Sequence, residues 1–213
     1  MTASDALRRR LHRVAPATSG RLTPAEFLLS GAAAGAFGWG GTQAIVWFDL
    51  ADGAVLATAL WVVVAGGFVG LTVLHAPESI RFSDVLFVWG AVNGGAMALT
   101  VGGLLGVVPE AVAFWHAWVA ATAAGYCWTG GVLEGAGQPV RGRGYLGAGV
   151  VGLGLLVVGV TAFDRVAPTG YLALGTLHAL PLVLDVRTAL PARSRATVVG
   201  VVVAAAVGTG SFV

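Results

Sequence analysis

Lysine is absent from the 213 residues, and all twelve basic side chains are arginine. Without a side-chain primary amine no Schiff base to retinal or pyridoxal phosphate can form, so both cofactor chemistries are excluded. Cysteine occurs once, at Cys127, which rules out an intrachain disulfide and a multi-cysteine cluster and leaves the redox compartment unmarked. Charge is scarce as well: 10% of residues are charged and 57% hydrophobic, whereas soluble domains carry roughly one-quarter charged residues. Isoleucine occurs twice and asparagine once beside 33 glycines, a usage that mutational bias in a GC-rich genome explains without selection for function. The net charge of +2 comes from arginines in short loops beside apolar runs, so it marks no nucleic-acid binder.

What is present is apolar sequence in repeated runs. Punctuation by charge, proline and glycine predicts an all-α integral membrane protein with seven transmembrane helices, over 25–48, 54–76, 85–108, 110–133, 145–163, 170–184 and 196–213. The domain plan is a basic cytoplasmic segment over 1–24 and a seven-helix bundle over 25–213. Thr23-Pro24-Ala25-Glu26 reads as a capping box with proline at the first helical position, Ser83 as an N-cap, and Pro109-Glu110 as a helix opening. In the first segment Leu7, Leu11 and Val14 alternate with Arg8, Arg9, Arg10 and Arg13, the pattern of an amphipathic helix on anionic lipid or of a basic tail that sets topology.

Arginine distribution predicts orientation, because basic residues in short loops stay cytoplasmic. Arg8, Arg9, Arg10, Arg13, Arg21, Arg81, Arg141, Arg143, Arg187, Arg193 and Arg195 fall on one side, and Arg165 alone on the other, with Asp49, Asp52 and Glu110. The N-terminus is then cytoplasmic and the C-terminus outside, in a multi-pass protein of the cell membrane. Trp47, Phe48, Trp61, Phe114, Trp115, Phe163 and Tyr171 are expected near the outer interface, and Phe27, Phe82 and Tyr145 near the inner one. Glycine pairs four apart, at 31/35, 66/70, 90/94, 102/106 and 131/135, predict smooth stripes for close helix packing or for partner subunits and homo-oligomers.

Polar residues inside spans are costly and point to function. Gln43 and His116 lie nearer the outer face, whereas His178, Asn93, Tyr126 and Cys127 share a layer somewhat inside the midplane. Pro181 removes a helix hydrogen bond and frees the Leu177 carbonyl beside His178, so the predicted ligand site comprises His178, Asn93, Tyr126, Cys127 and Leu177. Plain interhelical hydrogen bonding accounts for the same residues. Glu26, His75, Glu78, Asp84, Glu134 and Asp185 stand at the cytoplasmic ends, either as an inner vestibule for a cation or as caps and surface ion pairs.

His116 and His178 are the ligands that a b-type haem would take. Otherwise no cofactor is expected, and no histidines are paired at metal-site spacing. Cys127, His178 and Asn93 share a depth, but a lone cysteine in a span behaves as a small hydrophobe, so no catalytic set is assigned. The residues favour a non-enzymatic permease or channel-like protein, with an assembly subunit and a haem-bearing electron-transfer subunit as alternatives. The expected partners are the lipid bilayer and, through the glycine stripes, further copies of the chain or partner membrane subunits.

Overall fold

A computed structural model describes residues 22–187, and among these there are helices and turns and no strand. The predicted basic segment and the predicted seventh span over 196–213 lie outside the described residues. Six long helices occupy the first six predicted spans. They are α1 (Pro24–Trp47), α2 (Gly53–His75), α4 (Asp84–Leu104), α5 (Ala117–Gly135), α6 (Pro139–Val166) and α7 (Gly170–Arg187), with the single turn α3 (Glu78–Arg81) between α2 and α4. Of these, α2, α4 and α6 are long and apolar enough to cross a membrane, and they mark the chain as a membrane protein.

The helix starts follow the local chemistry. At α1 the Glu26 N–H donates to Thr23 Oγ1 at 3.2 Å while the Thr23 N–H donates to Glu26 Oε2 at 2.7 Å, the reciprocal capping box. At α4 the Leu86 N–H donates to Ser83 Oγ at 3.1 Å. The predicted third span runs past the end of α4, because the chain turns at Gly106, where φ is 71°. The fifth begins six residues earlier than predicted: Pro139 sits in the first turn of α6, and Arg141 is engaged there by Gln138 and by Asp185 of α7.

Ahead of α5, residues Val112–His116 form a π-helical turn, a feature often found at functional positions. Near its far end α6 breaks at Ala162, with φ −150° and ψ 47°.

The bundle is unevenly packed. Helix α6 lies closely along α5, and α7 along α1, whereas α2 and α4 barely meet. Apolar side chains cover the outside, with Val63 73% and Val160 69% exposed, while Gln43 is fully buried. This polar-in, apolar-out arrangement suits a lipid surround. Gln43 ties the first and last described helices together: its Nε2 donates to Pro168 O at 3.0 Å and its Oε1 accepts from the Tyr171 N–H at 3.1 Å.

Glycine serves two ends. Gly31 and Gly35 pack as predicted, under Phe68 and His178, but Gly66, Gly70, Gly90, Gly94, Gly131 and Gly135 have nothing within 4 Å of where a Cβ would stand. Among the described residues the 66/70 and 131/135 stripes are therefore open surfaces, and the 90/94 stripe borders a cavity. Gly102 and Gly106 belong to a helix end: a Cβ on Gly102 would meet Val108 of the following turn.

Candidate functional site

Two cavities lie end to end inside the bundle. One, of about 560 Å³, opens at the end where α1 turns into α2 and α4 into α5, and aromatic rings form much of its wall. The other, of about 510 Å³, contains His178 and Asn93. Trp39, Trp61, Trp118 and Met97 line both, so these four side chains form a septum between a tryptophan chamber and a histidine chamber.

The septum is built from stacked and tilted rings. Trp39 and Trp61 have centroids 4.5 Å apart, and Trp61 stacks on Trp118 at 5.6 Å. Small residues make room for these rings: a Cβ on Gly38 would stand 2.6 Å from the Trp61 ring, and one on Gly175 3.0 Å from Trp39 Cβ.

Two of the three indoles are tethered. Trp61 Nε1 donates to Thr42 Oγ1 at 3.1 Å and Trp118 Nε1 to Thr100 Oγ1 at 2.9 Å. Both threonine hydroxyls in turn donate to helix carbonyls, Thr42 to Gly38 and Thr100, its one proton within reach of two acceptors, to Ala96 or Ala113. Trp39 Nε1 is buried with no hydrogen-bond partner among the described residues, so its ring is held by packing alone.

In the histidine chamber the imidazole of His178 is seated on α1, where a Cβ on Gly35 would collide with it. Trp89 meets the ring edge-on with centroids 5.7 Å apart. His178 Nδ1 is buried without a hydrogen-bond partner among the described residues, an unmet polar demand inside an apolar bundle. Asn93 of α4 lines the same chamber, together with Thr122, Thr129 and Tyr145. Trp89 Nε1 donates to Thr129 Oγ1 at 3.0 Å, fixing the wall opposite α1.

Of the five predicted ligand-site residues, the structure brings His178 and Asn93 to one cavity. Tyr126 stands behind it: fully buried, its hydroxyl donates to the His178 carbonyl and supports α7 one residue beyond Leu177. Cys127 lies against Gly149 of α6, and the Leu177 side chain reaches Gly152 of the same helix. Neither lines the histidine chamber.

The six predicted vestibule residues do not meet around either chamber. Glu26 is engaged by Thr23. Asp185, its side chain 5% exposed, pairs with Arg141 at 2.5 Å and accepts from the Tyr145 hydroxyl at 2.9 Å. Glu78, Asp84 and Glu134 are exposed, while His75 is half-buried and its carbonyl accepts from the Leu22 N–H at 3.2 Å. No group of three or more His, Cys, Asp or Glu side chains suited to a metal ion occurs among the described residues. The two haem candidates keep different surroundings: His116 faces Phe163 of α6 at 5.9 Å, whereas His178 faces Trp89 of α4.

The aromatic belt is where sequence and structure part. Trp61, Phe114, Trp115, Phe163 and Tyr171 line the tryptophan chamber instead of facing lipid, and Phe27 and Tyr145 are buried as well, each 4% exposed. Trp39, Trp89 and Trp118 carried no assignment from sequence, yet they build the septum and the wall behind His178. Their signal was local: Trp39 lies between Gly38 and Gly40-Gly41, and Trp118 three residues after Trp115, a glycine-flanked ring and two rings spaced to share one helix face. No known protein family, curated protein or solved structure matches this chain.

Proposed function

We propose that the protein is a small permease or channel-like protein of the cell membrane, multi-pass with seven spans, a cytoplasmic N-terminus and an outer C-terminus. The arginine asymmetry supports the orientation. One observation carries the functional reading: two chambers of solute size share a wall of three tryptophans and a methionine, so displacing one ring joins them. Trp39 suits the moving part, because its indole N–H has no partner to lose among the described residues. His178 and Asn93 form the polar station beyond the septum, where irregular or polar elements in a bundle core commonly bind solutes.

Purified protein reconstituted in liposomes should take up at least one of three labelled solutes, glycerol, acetate or choline, faster than protein-free liposomes. His178→Ala should abolish that uptake while leaving the helical circular dichroism and a monodisperse elution profile intact. Absence of uptake for all three, or uptake indifferent to His178→Ala, would overturn the reading.

An assembly subunit is the second reading, and α2 supports it. That helix has no buried residue, and its Gly66, Gly67 and Gly70 face open space, a surface that a partner helix fits. Stoichiometric copurification of another membrane protein, with uptake absent, would favour it.

A further inference from the structure

The tryptophan chamber has a wall chemistry that selects one class of ligand. Trp39, Trp61, Trp115, Trp118 and Tyr171 contribute aromatic surface to it. Among the described residues Asp49 and Glu110, both exposed at the open end, are the charged side chains of its lining, and no arginine or histidine lines it with them. Two carboxylates over a nest of aromatic rings repel an anion and attract a cation.

The kind of cation follows from what the deep wall lacks. A metal ion or alkali cation needs several oxygen ligands to replace its water. The four hydroxyls of the lining, Thr42, Thr58, Thr100 and Tyr171, all donate to helix carbonyls, and those of Thr42 and Thr100 also accept from indoles, so the wall offers few free oxygens beyond the two carboxylates at the mouth. A primary ammonium brings three N–H groups that need acceptors. A quaternary ammonium brings none: its charge is spread over an apolar skin that aromatic faces bind directly. A neutral apolar ligand would fit the rings but leaves the two carboxylates without a role. The volume of about 560 Å³ lies within the range of about 300 to 1,000 Å³ usual for small-molecule sites.

We propose that the tryptophan chamber binds a small quaternary-ammonium cation, held by the aromatic faces of Trp61 and its neighbours and drawn in by Asp49 and Glu110. The inference names the substrate class of the proposed permease, and it rests on that reading for the ligand's onward path through the septum.

Binding and transport are separable. In detergent, intrinsic tryptophan fluorescence and calorimetry would compare choline and tetraethylammonium with 3,3-dimethyl-1-butanol, the uncharged isostere of choline. At least one cation should bind at millimolar concentration or tighter, with choline about tenfold ahead of its isostere. Asp49→Asn with Glu110→Gln should weaken cation binding about fivefold and flatten its salt dependence, leaving the isostere unaffected. Trp61→Leu should cost about tenfold, and Trp61→Phe, which keeps a ring face, about twofold.

Equal binding of choline and the isostere overturns the proposal, as does binding of neither cation by folded protein. The charge variants alter only exposed side chains, so they decide the matter even where Trp61→Leu fails to fold. Cation binding without flux in liposomes keeps the site and overturns the permease. Flux of neutral solute without cation binding does the reverse.

Discussion

The two sides of the bundle use glycine in opposite ways. Along α5 and α6, glycines bring backbones together: a Cβ on Gly130 would stand 2.8 Å from the Gly142 carbonyl oxygen, and one on Gly142 2.9 Å from that of Gly130. Along α2 and α4, a Cβ added at Gly66, Gly67, Gly70, Gly90, Gly94 or Gly95 would meet nothing within 4 Å, and the two helices hardly meet. One residue type therefore closes the α5–α6 seam at Gly130 and Gly142, while other glycines of the same two helices, Gly131 and Gly135 among them, face away from it, and on α2 and α4 it leaves room. Gly90 and Gly94 line the histidine chamber, where the missing side chains become volume. Close helix packing in a membrane draws on van der Waals contact, so the α5–α6 pair is the firm wall against which the looser α2–α4 side can yield.

Substitution tests that contrast directly. Gly142→Leu, which drives a side chain into the α5 backbone, should destabilise the purified protein the most, by about 3 kcal/mol or more, or abolish folding; thermal unfolding followed by circular dichroism would register it. Gly94→Leu should leave unfolding unchanged and instead reduce solute uptake by filling chamber volume. If both variants destabilise equally, the contrast between the two sides fails.

Next in size is the ion pair that joins α6 to α7. Arg141 grips Asp185 through two nitrogens, at 2.5 and 2.6 Å. Arg141→Ala should cost about 2 kcal/mol, as for a charge-assisted hydrogen bond lost beside a buried carboxylate, and Tyr145→Phe about 1 kcal/mol. Chemical denaturation of the two single variants and the double variant would show whether the losses add.

A smaller effect belongs to the tether of the septum. Thr100→Val removes the acceptor of the Trp118 indole at constant shape, costing about 1 kcal/mol and shifting tryptophan emission toward the blue. Smallest of all, Gly66→Ala on the open face of α2 should change stability by less than about 1 kcal/mol, toward stabilisation through helix propensity. A large loss there would reveal a contact that α2 makes with another chain.

Sequence carried the helices further than their faces. Thr23, Ser83 and Pro109 are local signals, so the entries to α1, α4 and the segment before α5 were legible from a few residues each. The start of α6 was not, because Arg141-Gly142-Arg143 has loop-like composition and is accommodated in the helix by partners distant in sequence or by backbone approach: Asp185 for Arg141, and α5 for Gly142. Facing was the harder question. A span that is apolar all around gives no stripe from which to read its inner side, so Trp61, Trp115 and Tyr171 looked like lipid anchors. His178 and Asn93 were legible as a pair from depth alone, since a rare polar side chain in a span turns inward whatever its neighbours. Tyr126 and Cys127 share that depth but not that direction, and depth could not separate them.

The Gln43 clamp bears on the order in which the protein is made. Its carboxamide is fully buried, and the groups it satisfies are the Pro168 carbonyl in the turn before α7 and the N–H groups of Tyr171 and Leu172 in its first turn. During synthesis α1 leaves the ribosome more than a hundred residues before them. Throughout that interval an unsatisfied amide would sit in hydrocarbon, so α1 must wait with Gln43 turned to water, to lipid headgroups or to an insertion factor. The arrival of α7 then acts as the latch of biogenesis: a chain truncated before residue 168 should insert yet remain protease-sensitive in α1.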